Sequence, residues 1–209
     1  MSKDFAVAGL TPDQLNSVVE KLGGYEGALK FLRGELVVSA PVRDWREQDG
    51  VIHFTVTSDG TTGEEWIARL EGKGFCVSEY AKSVLRSSDF KPMNGLTTRI
   101  AVLPGALFTD DDRVTRKIWV DAERRGFTKP NPEVACLIRE KFSDDDLAVM
   151  GLFWLVTMHE PIEDFVGDSD LLFANRDGHL LGAYYGRLDG WWFRNVGFAF
   201  VAPQASPYR

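Results

Sequence analysis

Leu15, Val18, Val19 and Leu22 recur at i, i+3, i+4 and i+7, which lays one apolar stripe along a helix. Thr11-Pro12-Asp13-Gln14 supplies its start: a capping hydroxyl, a proline suited to the first helical position, and a glutamine that completes a capping box. Gly23-Gly24 ends it. A second short helix, about Tyr25 to Leu32, stops at Gly34, and Glu35 to Ala40 reads as a strand closed by Pro41. The polar stretch Val42 to Gly50 reads as a loop. The next strand carries Val51 and His53 on one side and Ile52, Phe54 and Val56 on the other, and turns at Asp59-Gly60. Two short helices follow. One is Glu64 to Leu70 with Trp66, Ile67 and Leu70 inward; the other is capped by Ser78 and carries Tyr80, Ala81, Val84 and Leu85. The polar segment Ser87 to Gly95 marks a soft boundary.

Beyond it the pattern predicts a strand over Thr97 to Leu103, stopped by Pro104-Gly105. Thr109 is expected to cap a helix with Asp110, Asp111 and Asp112 in its first turn, ending at Arg124-Arg125-Gly126; both charge runs suit the helix dipole. Asn131-Pro132 starts another helix, Ser143 a brief one, and Leu152 to Met158 forms a strand. After Pro161 the pattern is all β. Leu171 to Asn175 and His179 to Tyr185 flank Asp177-Gly178, a two-residue hairpin signal. Asp189-Gly190 is a second turn, and Trp191 to Val201 is the last strand, with Phe198 and Phe200 alternating to one face. The fold class is α+β.

Composition narrows the function. With 44% hydrophobic residues, the 209-residue chain can bury a sizeable core. A net charge of −7 disfavours nucleic acid, whose phosphates call for a basic patch. The helix–Gly-Gly–helix unit at the N-terminus is therefore read as a hairpin that packs or drives homo-oligomer assembly, not as a DNA-reading motif. The beginning of the chain has no signal-peptide apolar core, and no run approaches the ~20 residues of a membrane helix, so the expected location is the cytoplasm, with no membrane partner. Cys76 and Cys136 are expected to be reduced, buried thiols.

Candidate chemistry is sparse. His53, His159 and His179 lie at no metal-ligand spacing, and His159-Glu160 is not followed by a second histidine; solvent or capping roles are expected. The aspartate triplets at 110–112 and 144–146 lack the alternating oxygens and distal glutamate of a calcium loop. Neither a catalytic set nor a cofactor or metal site is expected. Ser58-Asp59-Gly60-Thr61-Thr62-Gly63 precedes a helix and could seat a phosphate on its N–H groups, which keeps a small intracellular enzyme or nucleotide binder as the alternative. It lacks the lysine and the glycine spacing of a phosphate-binding loop. Between Leu171 and Phe200 stand Phe173, Tyr184, Tyr185, Trp191, Trp192 and Phe193. Three of them are consecutive, so at least one faces outward. Two readings stand: a binding hot spot, with Arg187, Arg194 and Asn195 interleaved, or a two-sided strand in a small core.

The β-α-α-β-β-β order of residues 97–203 resembles the C-type lectin fold, in which the first and last strands pair and two helices flank the sheet. The ending Trp192-Phe193-Arg194-Asn195-Val196-Gly197-Phe198-Ala199-Phe200 is similar to that of the variable proteins of diversity-generating retroelements, which share that fold and often finish in a Gly-Phe strand. In that family a reverse transcriptase rewrites the 3′ part of the gene with changes at adenines. The window Leu180 to Val196 holds Tyr, Gly, Asp, Phe, Asn, Trp and Arg and no Lys or Glu, which suits randomised AAY and AGG codons. The resemblance implies a scaffold of Leu181, Trp192, Gly197, Phe198 and Phe200. It implies a ligand-facing set of Gly182, Tyr184, Tyr185, Asp189, Trp191, Phe193, Asn195 and Val196. This half lacks the disulfides and the Glu-Pro-Asn and Trp-Asn-Asp calcium motifs of sugar-binding lectins, and the paired cysteines of formylglycine-generating enzymes. The expected organisation is a helical hairpin and short strand over 1–40, a small α/β region over 41–95, and a C-type-lectin-like domain over 96–209. That domain would end in a β-meander and bind an unknown ligand, expected to be a protein.

Overall fold

The computed structural model describes residues 11–38 and 43–203 and divides the chain into two compact units, Met1–Arg43 and Asp44–Arg209. The first holds α1 (Pro12–Lys21) and α2 (Gly24–Leu32). The capping box forms as the sequence predicts: Thr11 Oγ1 accepts from the Gln14 N–H, and Gln14 Oε1 accepts from the Thr11 N–H. No strand forms over 35–38; the rest of the strand expected there lies outside the described residues.

The second unit is built on one mixed sheet. Its strands are β1 (Arg46–Gln48), β2 (Val51–Asp59), β3 (Cys76–Val77), β4 (Asn94–Pro104), β5 (Trp154–Thr157), β6 (Ile162–Glu163), β7 (Ser169–Asn175), β8 (Leu180–Tyr185) and β9 (Val196–Val201). The order is β1-β2-β4-β9-β5-β7-β8-β3, with β6 on β7. The pairing of β4 with β9 runs from Ile100↔Val201 to Pro104↔Gly197. Parallel pairs occur at β5–β9 and β3–β8.

The boundary expected near residue 95 falls inside β4, and β2 pairs with β4 from Ile52↔Val102 to Asp59↔Asn94. Residues 44–95 are thus continuous with the sheet. Polar composition at Ser87 to Gly95 marks a surface connection, not a gap between cores.

Alternation along the strands feeds two cores. On one face Ile52, Phe54, Ile100, Val102, Leu155 and Ala199 pack under α3 (Gly63–Gly72), α4 (Glu79–Arg86) and α6 (Glu133–Lys141). On the other, Ala101, Leu103, Val156, Phe198 and Phe200 pack against Ile118 and Ala122 of α5 (Thr115–Arg124). A short α7 (Asp144–Val149) leads into β5.

Four local expectations are corrected. Thr109 caps no α-helix: its hydroxyl donates to Asp112, Asp110 pairs with Arg113, Asp112 pairs with Lys117, and α5 starts only at Thr115. Cys76 is exposed while Cys136 is buried. The hairpin after Asn175 has four loop residues, because Asn175 pairs with Leu180. The last strand begins at Val196, so Trp191 to Asn195 form a loop.

Candidate ligand-binding surface

The loop between β8 and β9 has little regular structure, yet its backbone is fixed along its length. Gly186 N–H donates to Ser169 O at 2.7 Å, and Phe153 N–H donates to Asn195 O at 2.7 Å. In between, the N–H groups of Thr115 and Arg116 donate to the carbonyls of Gly190 and Leu188, and Trp192 N–H donates to Arg113 O, each at 3.0 Å. A loop held this way presents its side chains with little ordering cost on binding.

Arg113 is the rivet. Its side chain is 3% exposed. Nε donates to Gly105 O at 3.1 Å, Nη1 to Trp192 O at 3.4 Å, and Nη2 to Phe108 O at 3.3 Å and to Asp110 Oδ1 at 2.6 Å. A guanidinium's fixed fork of donors suits this bridging of three carbonyls and one carboxylate. Gly105 completes the seat: a Cβ there would lie 2.9 Å from the carbonyl oxygens of Phe193 and Val196.

On this frame Tyr184, Tyr185, Leu188, Trp191 and Phe193 stand out, each between 43% and 59% exposed. Trp192, between Trp191 and Phe193, is 2% exposed. Its Nε1 donates to Thr115 Oγ1, and its ring meets those of Tyr184 at 5.6 Å and Phe198 at 5.7 Å. Trp191 and Phe193 meet edge to face at 5.1 Å, and Trp191 Nε1 donates to Asp110 O.

The eight positions named from the resemblance separate into two groups. Tyr184, Tyr185, Asp189, Trp191, Phe193 and Asn195 are exposed. Gly182 and Val196 are not. A Cβ on Gly182 would lie 2.4 Å from the Phe173 ring, which fills the space opposite it. Val196 is 1% exposed in the core beneath α5. Neither can touch a ligand. Leu181, Trp192, Gly197, Phe198 and Phe200 are all buried. Sequence reasoning missed Leu188, whose only signal was its place in a turn between Arg187 and Asp189. It also missed Arg113, whose burial no local pattern announces.

Tyr185 faces a different neighbourhood. Asp168, with Tyr80, Asp170 and Asp164, raises its phenol pKa. Burial, together with Asp164 and Asp168, pushes the Asp170 carboxyl up to about 6. Nearby, His159 is fully buried rather than solvated. Its Nδ1–H donates to Glu160 O at 2.7 Å, its Nε2 accepts from Leu172 N–H at 3.0 Å, and desolvation lowers it to about 4. This histidine is neutral and structural.

At the Ser58–Thr62 turn, carboxylates occupy the place of an anion. Glu65 accepts from the Thr62 N–H and hydroxyl, and Asp59 accepts from Thr61 and pairs with Arg69. The turn is a helix cap, and a phosphate would meet two negative groups. Among the described residues no three His, Cys, Asp or Glu side chains are grouped to hold a metal ion, and no helix is long and apolar enough to cross a membrane.

No family model, no curated protein and no solved structure matches this chain.

Proposed function

We propose that the protein binds a protein ligand through the exposed side chains of Tyr184, Tyr185, Leu188, Trp191 and Phe193, carried on a scaffold of the C-type lectin kind. We read Tyr184, Tyr185, Asp189, Trp191, Phe193 and Asn195 as the positions a diversity-generating retroelement varies. The observation that carries this is the alternation along Trp191-Trp192-Phe193: a buried indole anchors the loop while its two neighbours stay in solvent. Large aromatics on a pinned backbone are the composition of hot spots and paratopes. The pairing of β4 with β9 and the flanking helices support the lectin-like reading.

The experiment is a reading of DNA. A neighbouring reverse-transcriptase gene and a near-copy of the codons for Leu180 to Phe200, differing only at adenines, are expected. The differences should fall on the six exposed positions and spare Gly182 and Val196. Finding neither gene nor near-copy removes the retroelement reading.

A further inference from the structure

Helix α5 turns Thr115, Ile118 and Ala122 into the core, which leaves Arg116, Lys117, Val120 and Arg124 exposed on its outer side. A groove of about 520 Å³ is walled by that side of α5 and by the chain at Leu107, Phe108 and Thr109. Its apolar part is Leu107, 43% exposed, Val120, 41% exposed, and the half-buried Phe108, whose ring meets that of Phe198 edge to face at 6.3 Å. Apolar side chains left in water inside a concave surface favour an occupant that covers them.

The groove is positive on a chain whose net charge is −7. Arg116, Lys117, Arg124 and Arg125 line it against Asp112 and Asp121. Both acids are already engaged: Asp112 pairs with Lys117 at 2.8 Å, and Asp121 with Arg125 at 2.7 Å. Arg116 and Arg124 form no ion pair with a described residue. Glu123, beside Arg124 in sequence, does not line the groove. Arg116, Val120 and Arg124 are spaced by four residues, so the two unpaired cations start about 12 Å apart along the helix with an apolar side chain between them. An extended peptide advances about 3.3 Å per residue and points every second side chain the same way, so its residues i, i+2 and i+4 cover about 13 Å on one side. Carboxylates at i and i+4 with an apolar residue at i+2 match the groove in charge, spacing and polarity. A guanidinium takes a carboxylate in two parallel hydrogen bonds, which fixes the register.

We propose that the groove beside α5 binds an extended acidic segment of a partner protein, of the pattern acid-x-apolar-x-acid. One carboxylate sits on Arg116, the other on Arg124, and the apolar residue between them covers Val120 and Leu107. The groove lies outside Leu180 to Val196, and its chemistry rests on its own residues, not on the function proposed above.

The test uses the full chain and three short capped peptides: Glu-Ser-Leu-Ser-Glu, its neutral isostere Gln-Ser-Leu-Ser-Gln, and Glu-Glu-Leu-Ser-Ser, in which the acids are adjacent. Backbone amide NMR shifts are the readout. The first peptide is expected to shift the amides of Leu107, Val120 and Arg124, the second to leave them, and the third to bind several-fold more weakly. Arg116→Gln and Arg124→Gln should each weaken the first peptide about threefold, the measure of one exposed ion pair, and the double variant about tenfold. The variant Trp191→Ala/Phe193→Ala should keep the full response, which separates this groove from the aromatic surface. Equal responses to the charged and neutral peptides, no response to either, equal affinity for the third peptide, or a full response in the double arginine variant would overturn the proposal. So would displacement of the first peptide by equimolar inorganic phosphate, which would make this a site for a small anion.

Discussion

The Nε1–H of Trp192 donates to Thr115 Oγ1 at 2.9 Å across 77 residues, and both residues are buried. The bond ties the loop between β8 and β9 to the first turn of α5. It explains why three consecutive aromatics can have different fates. Replacing Trp192 by Phe should cost about 1 kcal/mol, since the Thr115 hydroxyl loses one donor but keeps its own donation to Gly190 O, and replacing it by Ala should cost about 3–5 kcal/mol. Trp191→Ala and Phe193→Ala should each stay within ~0.5 kcal/mol of the parent. Urea denaturation of the four variants checks this.

Arg113 bridges three carbonyl oxygens and one carboxylate from a buried position. Arg113→Met keeps most of the packing and removes every donor. It should lower stability by roughly 3 kcal/mol, because it leaves buried carbonyls unpartnered. Hydrogen exchange is the sharper readout: the amides of Trp192 and Val196 should exchange faster, while those of β2 hold.

His159 and Asp170 pull the pH dependence in opposite directions. The folded state depresses His159 to about 4 from 6.5, so its contribution is present above pH 6.5 and is lost as the pH falls through 4, by roughly 3 kcal/mol. The folded state raises Asp170 to about 6 from 3.8, so its contribution is present below pH 3.8 and is lost as the pH rises through 6. The two offset each other between pH 4 and 6. Asp170→Asn should therefore be more stable than the parent at pH 7.5 by roughly 2 kcal/mol, and should lose stability more steeply on acidification. Denaturant midpoints at pH 4, 5.5 and 7.5 measure it.

Gly182 leaves room for Phe173 and no more. Gly182→Ala should cost about 1–3 kcal/mol by overpacking, and Gly182→Ala combined with Phe173→Leu should recover part of it. A double-mutant cycle in thermal unfolding reads the coupling.

Much of the fold was legible because its signals are local. Thr11, Thr62, Ser78 and Ser143 cap helices as their sequence contexts announce, and strands such as Val51–Asp59 show their alternation directly. The errors came from tertiary contacts. The aspartates at 110–112 resemble a helix start, but Arg113 and Lys117 draw them into a separate 3-10 turn. Trp191 to Asn195 has strand composition, yet Arg113 holds its backbone in a loop. At the site, three consecutive aromatics required at least one to face outward, but that Trp191 and Phe193 do so while Trp192 is buried was given only by the resemblance. The burial of Gly182 and Val196 did not follow, because it depends on Phe173 and α5, far away in sequence.

β9 lies between β4 and β5, in the interior of the sheet, and is the last strand in chain order among the described residues. During synthesis, β4 and β5 must wait for Val196–Val201 to emerge before either finds its neighbour on that side. A message broken anywhere before codon 196 yields a chain with two raw edges facing one another across an empty slot, a form prone to aggregation. Only a chain that includes Val196–Val201 can pair both edges, so the middle of the sheet forms after every other described strand has been made.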